Sequence, residues 1–143
     1  MKKTVILFVV LMSVSSFTIA DEVSEADTGT YVILKKDRTP TGMFYRLSKI
    51  GEKWVMEGKK ATDPWKNISC EKGCDYRKTT INEIATYFPA DWMANSDIAC
   101  IQNVAQAFCK VSKKDNPAKV LHLVIALVTG KPTPMFLRRE NTN

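Results

Sequence analysis

The chain begins with one continuous apolar run, Val5 to Met12, and after it the apolar residues fall into short clusters separated by turn chemistry. Thr30-Tyr31-Val32-Ile33-Leu34 is rich in aromatic and β-branched residues and predicts a strand opened by Gly29. Asp37 to Gly42 carries turn residues, and Met43 to Leu47 predicts a second strand. Lys53 to Glu57 predicts a third, joined to the second by a hairpin loop at Ile50-Gly51-Glu52. The pattern is that of an antiparallel meander. Gly58 to Pro64 reads as a polar loop, and Trp65 to Cys70 as a further strand.

The period then changes. Ile81, Ile84, Ala85 and Phe88 recur at helical spacing. Thr80 with Glu83 three residues later forms a capping box, and Pro89 stops the helix. From Asp97 to Lys110 the pattern is ambiguous: Ile98, Ile101, Val104, Ala105 and Phe108 keep a helical period. After a turn at Asp115-Asn116-Pro117, the run Lys119 to Thr129 is the clearest strand in the chain. Gly130 to Pro134 turns back into Met135 to Arg139, expected as an edge strand. The fold class expected is α+β: a mostly antiparallel sheet, a meander able to curl toward a barrel, with one or two inserted helices.

The first apolar run changes the picture of where this protein acts. Lys2 and Lys3 precede it, and Thr18-Ile19-Ala20 follows with small residues at the positions a signal peptidase reads. Residues 1–20 are therefore expected to be a removable signal peptide, residues 21–28 an acidic flexible leader, and residues 29–143 a single domain. A bilayer span needs ~20 apolar residues, which neither this run nor Val120 to Val128 supplies, so no membrane span is expected after cleavage. The expected location is the periplasm, or outside the cell.

Cleavage before Asp21 leaves 123 residues and lowers the net charge from +6 to +4 by removing Lys2 and Lys3. The remaining basic residues are scattered rather than clustered, so nucleic acid is not the expected partner. An acidic partner surface is compatible with the charge.

The four cysteines are Cys70, Cys74, Cys100 and Cys109. An even count in a small exported domain reads as two disulfides. The spacing does not match a zinc knuckle or a CxxC redox motif, and no metal or cofactor is expected. Three connectivities are open. If Glu71-Lys72-Gly73 is a hairpin loop, Cys70 and Cys74 face one another, which favours local pairing in both halves. On one unbroken helix Cys100 and Cys109 would stand ~13.5 Å apart. A disulfide needs Cα atoms within ~7 Å, so local pairing demands a break near Asn103.

Catalytic chemistry is thin. His122 is the only histidine and alternates with Leu121 and Leu123, the setting of a structural residue rather than a base. No G-x-S-x-G, Walker loop or H-E-x-x-H occurs. Glu57, Asp63, Glu83 and Asp91 are the carboxylates a glycosidase-type mechanism could draw on, yet their spacing selects no pair. No catalytic residue is assigned, and the protein is not expected to be an enzyme. The aromatic residues Trp65, Tyr87 and Trp92 are candidates for partner contact, because Trp and Tyr are the usual anchors of protein interfaces.

The set Trp54-Val55-Met56-Glu57-Gly58-Lys59, Trp65…Ser69-Cys70…Cys74, Tyr87-Phe88-Pro89, Asp91-Trp92 and Cys100-Ile101-Gln102-Asn103…Ala105-Gln106-Ala107-Phe108-Cys109 resembles a family of small exported proteins of Gram-negative bacteria. Members of that family stand beside secreted antibacterial effectors, in the manner of type VI secretion immunity proteins. The resemblance covers most of the mature chain and transfers no functional residue. It implies a non-enzymatic inhibitor whose partner is a secreted effector or an envelope enzyme. The competing expectations are a small β-barrel carrier of an apolar ligand and an envelope hydrolase using carboxylates.

Overall fold

Strand formation follows the β-branched and aromatic clusters, and nine strands pair into one antiparallel sheet in the computed structural model, which describes residues 22–68 and 75–141. The first meander comprises β1 (Gly29–Leu34), β2 (Pro40–Ile50), β3 (Lys53–Lys60) and the short β4 (Lys66–Asn67). The second comprises β5 (Arg77–Lys78), β6 (Ser96–Gln102), β7 (Gln106–Lys113), β8 (Asn116–Ala126) and β9 (Thr133–Arg139). Two short helices, α1 (Ile81–Tyr87) and α2 (Ala90–Asn95), lie between β5 and β6. The strand order is β4-β3-β2-β1-β9-β8-β7-β6-β5, and the sheet curls into a half-barrel.

The final strand is not an edge. β9 pairs with β8 on one side and with β1 on the other, so it joins the two meanders. Its terminal position and two arginines suggest an edge, but Leu137 belongs to the inner core while Phe136 packs on the outer one. A strand with apolar residues on both faces belongs inside a sheet.

The segment Asp97 to Lys110 is a hairpin rather than a helix. β6 and β7 pair in register with Cys100 opposite Cys109, and the chain turns at Asn103, whose side chain accepts from the backbone N–H groups of Ala105 and Gln106. The two cysteines form a disulfide with Cα atoms 4.2 Å apart, the close spacing of a non-hydrogen-bonded cross-strand pair. The helical period arises because β6 and β7 are buried on both faces, which erases clean alternation. Cys70 and Cys74, and the loop expected between them, lie outside the described residues.

Two cores result. Tyr31, Tyr45, Leu47, Met56, Phe108 and Val124 fill the inside of the curl. Cys100, Ala107, Cys109, Leu123 and Ile125 occupy the opposite face of β6–β8, covered by Ile84 and Phe88 of the helical segment. Among the described residues α1 and α2 pack on β6, and neither covers β2 and β3. Residues 22–28, assigned to a flexible leader by composition, lie against the sheet: Glu25–Asp27 forms a 3-10 turn, Val23 packs on the inner core and Asp27 is only 3% exposed. The domain thus begins earlier than residue 29. Among the described residues no helix is long and apolar enough to cross a membrane.

Candidate functional site

The helical layer is built from its caps upward. Thr80 Oγ1 accepts from the Glu83 backbone N–H at 3.3 Å, and the Glu83 carboxylate accepts from the Thr80 N–H at 2.9 Å. Arg77 donates to both Glu83 oxygens, at 2.9 and 2.6 Å. The Arg77 hydrogen bond, seconded by the Thr80 backbone, holds the Glu83 carboxyl down at about 2. Pro89 ends α1 as expected and also starts α2, since its carbonyl accepts from Trp92 and Met93. That second helix is not legible in the aromatic stretch that encodes it.

Tyr87 and Trp92 are both half-buried. The Tyr87 hydroxyl donates to Gln102 at 2.8 Å, which fixes the ring against the sheet. Trp92 stacks on Phe88 at 5.7 Å and meets Phe136 at 6.3 Å. Beyond Trp92 a cleft of about 430 Å³ opens between α2 and the ends of β7 and β8. Trp92, Val111 and Leu121 form its apolar wall, and Asp91, Lys113, Lys114 and Asp115 line it with charge. Lys114 ties its floor to the end of α2 through bonds to the Asn95 and Ala94 carbonyls, at 3.1 and 2.9 Å.

Trp65 is not brought to this cleft. It lies against the outer face of the first meander, where the Arg46 guanidinium sits 4.4 Å from its ring centroid and the Lys59 ammonium 5.1 Å. Lys59 also faces Phe44 at 5.7 Å, and Arg46 is paired with Glu57 at 2.6 Å. The three aromatic candidates therefore divide between two halves of the sheet.

A third constellation surrounds Asp27, next to the inner-core residues Tyr31 and Phe108. Asp27 Oδ1 is 3.0 Å from His122 Nε2 and 3.6 Å from Lys110 Nζ, while Oδ2 accepts from the Ser24 backbone at 2.9 Å. His122 lies between Tyr31 and Phe108, at ring separations of 5.2 and 5.5 Å. Burial pushes the Asp27 carboxyl up, but the His122 and Ser24 hydrogen bonds and the Lys110 and His122 charges outweigh it and hold the group below its ordinary value. Arg139 donates to the Ala26 and Thr28 carbonyls, and Gly29 lets it pass: a Cβ there would stand 3.1 Å from Arg139 Nε. The segment before β1 is thus fastened by its backbone and by one carboxylate. His122 holds a buried chain segment.

The acidic candidates sit on separate elements. Glu57 is engaged by Arg46 on β3, and Glu83 by Arg77 on α1. Asp63 lies in the turn after β3, and Asp91 in the first turn of α2. Asp27, Lys110, Arg46 and Lys59 carry no motif. Only the alternation of Lys110 and Ser112 with Cys109 and Val111 hints that β7 turns a polar stripe inward.

Fold and site define a small disulfide-bonded half-barrel with a helix-flanked cleft on its outside. No family model, no curated protein and no solved structure matches the chain.

Proposed function

We propose that this is a periplasmic, non-enzymatic binding protein that neutralises a secreted antibacterial effector, an immunity protein of the type VI kind. The observation that carries the reading is the cleft beside Trp92. It combines a half-buried aromatic wall with charges of both signs, and it rests on a hairpin braced by the Cys100–Cys109 disulfide. Such a site suits a side chain or loop inserted by a protein partner. The export signal and the family resemblance support the compartment and the role.

The other expectations have less to rest on. A carrier of an apolar ligand needs interior space, and Tyr31, Tyr45 and Phe108 fill the inside of the curl. A hydrolase needs two carboxylates directed at one substrate, and Glu57 and Glu83 are each spent on an arginine.

The test is an affinity capture. The oxidised mature domain, Asp21 to Asn143, is used as bait against secreted effectors and native periplasm. A stoichiometric protein partner whose toxic activity falls on binding is the expected result. Trp92→Ala should weaken that complex by about 2 kcal/mol, or ~30-fold in Kd. A folded bait that captures no protein would remove the reading.

A further inference from the structure

The outer face of β2 and β3 carries an ordered alternation of rings and cations. Along it lie Phe44, Lys59, Trp65, Arg46 and Glu57, each in contact with the next: ring to ammonium at 5.7 Å, ammonium to ring at 5.1 Å, ring to guanidinium at 4.4 Å, guanidinium to carboxylate at 2.6 Å. Strand register produces this row. Phe44 stands opposite Lys59 and Arg46 opposite Glu57, while the alternate residues Tyr45, Leu47 and Met56 point into the core.

The row is charge-unbalanced at one defined place. Among the described residues the Lys59 ammonium has two aromatic walls and no carboxylate partner. The Glu57 carboxylate engages Arg46 through Nε and Nη2 by a single oxygen, Oε2, and among the described residues Nη1 has no acceptor. A guanidinium offers five N–H donors in a planar fork, so its second edge can take another carboxylate. Both cations are half-buried and held against rings, so little side-chain entropy remains to be lost on binding. Lys60 and Lys66 beside them are exposed and add positive charge. Of the other acids among the described residues of this stretch, Glu52 lies 3.9 Å from Lys49 in the β2–β3 turn, and Asp63 lies in the turn beyond β3.

We propose that this face docks an acidic segment of a protein partner, with Lys59 and the Nη1 side of Arg46 as its ionic anchors and Trp65 as its apolar one. The proposal names the chemistry of the partner and so rests on the binding reading, but a defined probe tests it without that partner. A fluorescein-labelled oligoglutamate peptide is titrated with the mature domain, and anisotropy is read at several salt concentrations. Saturable binding that weakens as salt rises is expected. Lys59→Gln and Trp65→Ala should each lower affinity about tenfold or more, Lys59→Arg should retain it, and the exposed pair Lys119→Gln/Lys131→Gln, outside both faces described, should leave it unchanged. Lys59 is half-buried on the outer face and belongs to neither core, so Lys59→Gln carries the test even if Trp65→Ala impairs folding. Three results would overturn the proposal: no saturable binding, an equal loss in the Lys119/Lys131 control, or an oligothymidylate of equal charge binding as tightly as the peptide. Failure of the effector capture with success here would remove the immunity role and leave the docking face.

Discussion

Asp27 keeps its charge in a nearly water-free position because each of its oxygens has a partner: His122 and Lys110 at one, the Ser24 N–H at the other. Removing one member of such a group leaves the rest buried without compensation. Asp27→Asn should therefore lower stability by about 2 kcal/mol at neutral pH, measured by urea unfolding. The pH dependence has a definite sign. The folded-state carboxyl lies below its ordinary value of 3.8, so its contribution is complete above that value and is lost as pH falls through the folded one. The charge-borne part of the gap between wild type and Asp27→Asn should close as pH falls below about 4. A gap that stays open in strong acid would show that Asp27 acts by shape rather than charge. Nothing local marks this residue: Asp27 sits in an acidic stretch with few apolar neighbours, and its partner His122 is 95 positions away.

Among the elements, the β6–β7 hairpin and α1 show how far local chemistry reaches. The hairpin places Cys100 opposite Cys109 at the closest cross-strand spacing, beneath Ile84 and Phe88. A cross-link closing a loop of this length removes chain entropy worth about 2.5 kcal/mol. The Cys100→Ala/Cys109→Ala double variant should lose roughly that much in chemical denaturation, about 2–3 kcal/mol, and it should loosen the floor beneath the helical layer. An unchanged unfolding midpoint would mean that strand pairing alone sets the hairpin. α1 depends on its first turn, where Thr80, Glu83 and Arg77 satisfy one another. Thr80→Ala should cost about 1 kcal/mol, read as a lower midpoint with an unchanged slope. The capping box is readable because its partners are three residues apart. The hairpin is harder to read, because burial on both faces imitates a helical period; the need to bring two cysteines together is what argues for the break at Asn103.

Across the whole molecule, one pairing organises everything else. β1 and β9, from opposite ends of the chain, lie side by side and turn two meanders into a single curled sheet. Phe108 stands at the centre of that curl, fully buried and against Tyr31, Tyr45 and His122 at 5.6, 6.3 and 5.5 Å. It touches residues from both meanders, so Phe108→Ala should cost about 3–5 kcal/mol and unfold both halves in one transition. Separate transitions, seen as non-coincident fluorescence and circular dichroism curves, would show that the halves are independent.

The same junction separates what is local from what is not. The antiparallel strand pattern, the start and end of α1 and the turn at Gly51 are written in the sequence, because each depends on residues a few positions apart and on backbone preferences that short segments express alone. Contacts between distant parts of the chain make β9 interior, bury Asp27 against His122, pair β6 with β7 across the Cys100–Cys109 disulfide and place Trp65 and Trp92 on different faces. Those outcomes depend on which side of a strand finds a partner distant in the chain, and a period-2 or period-3.6 pattern holds no information about that partner.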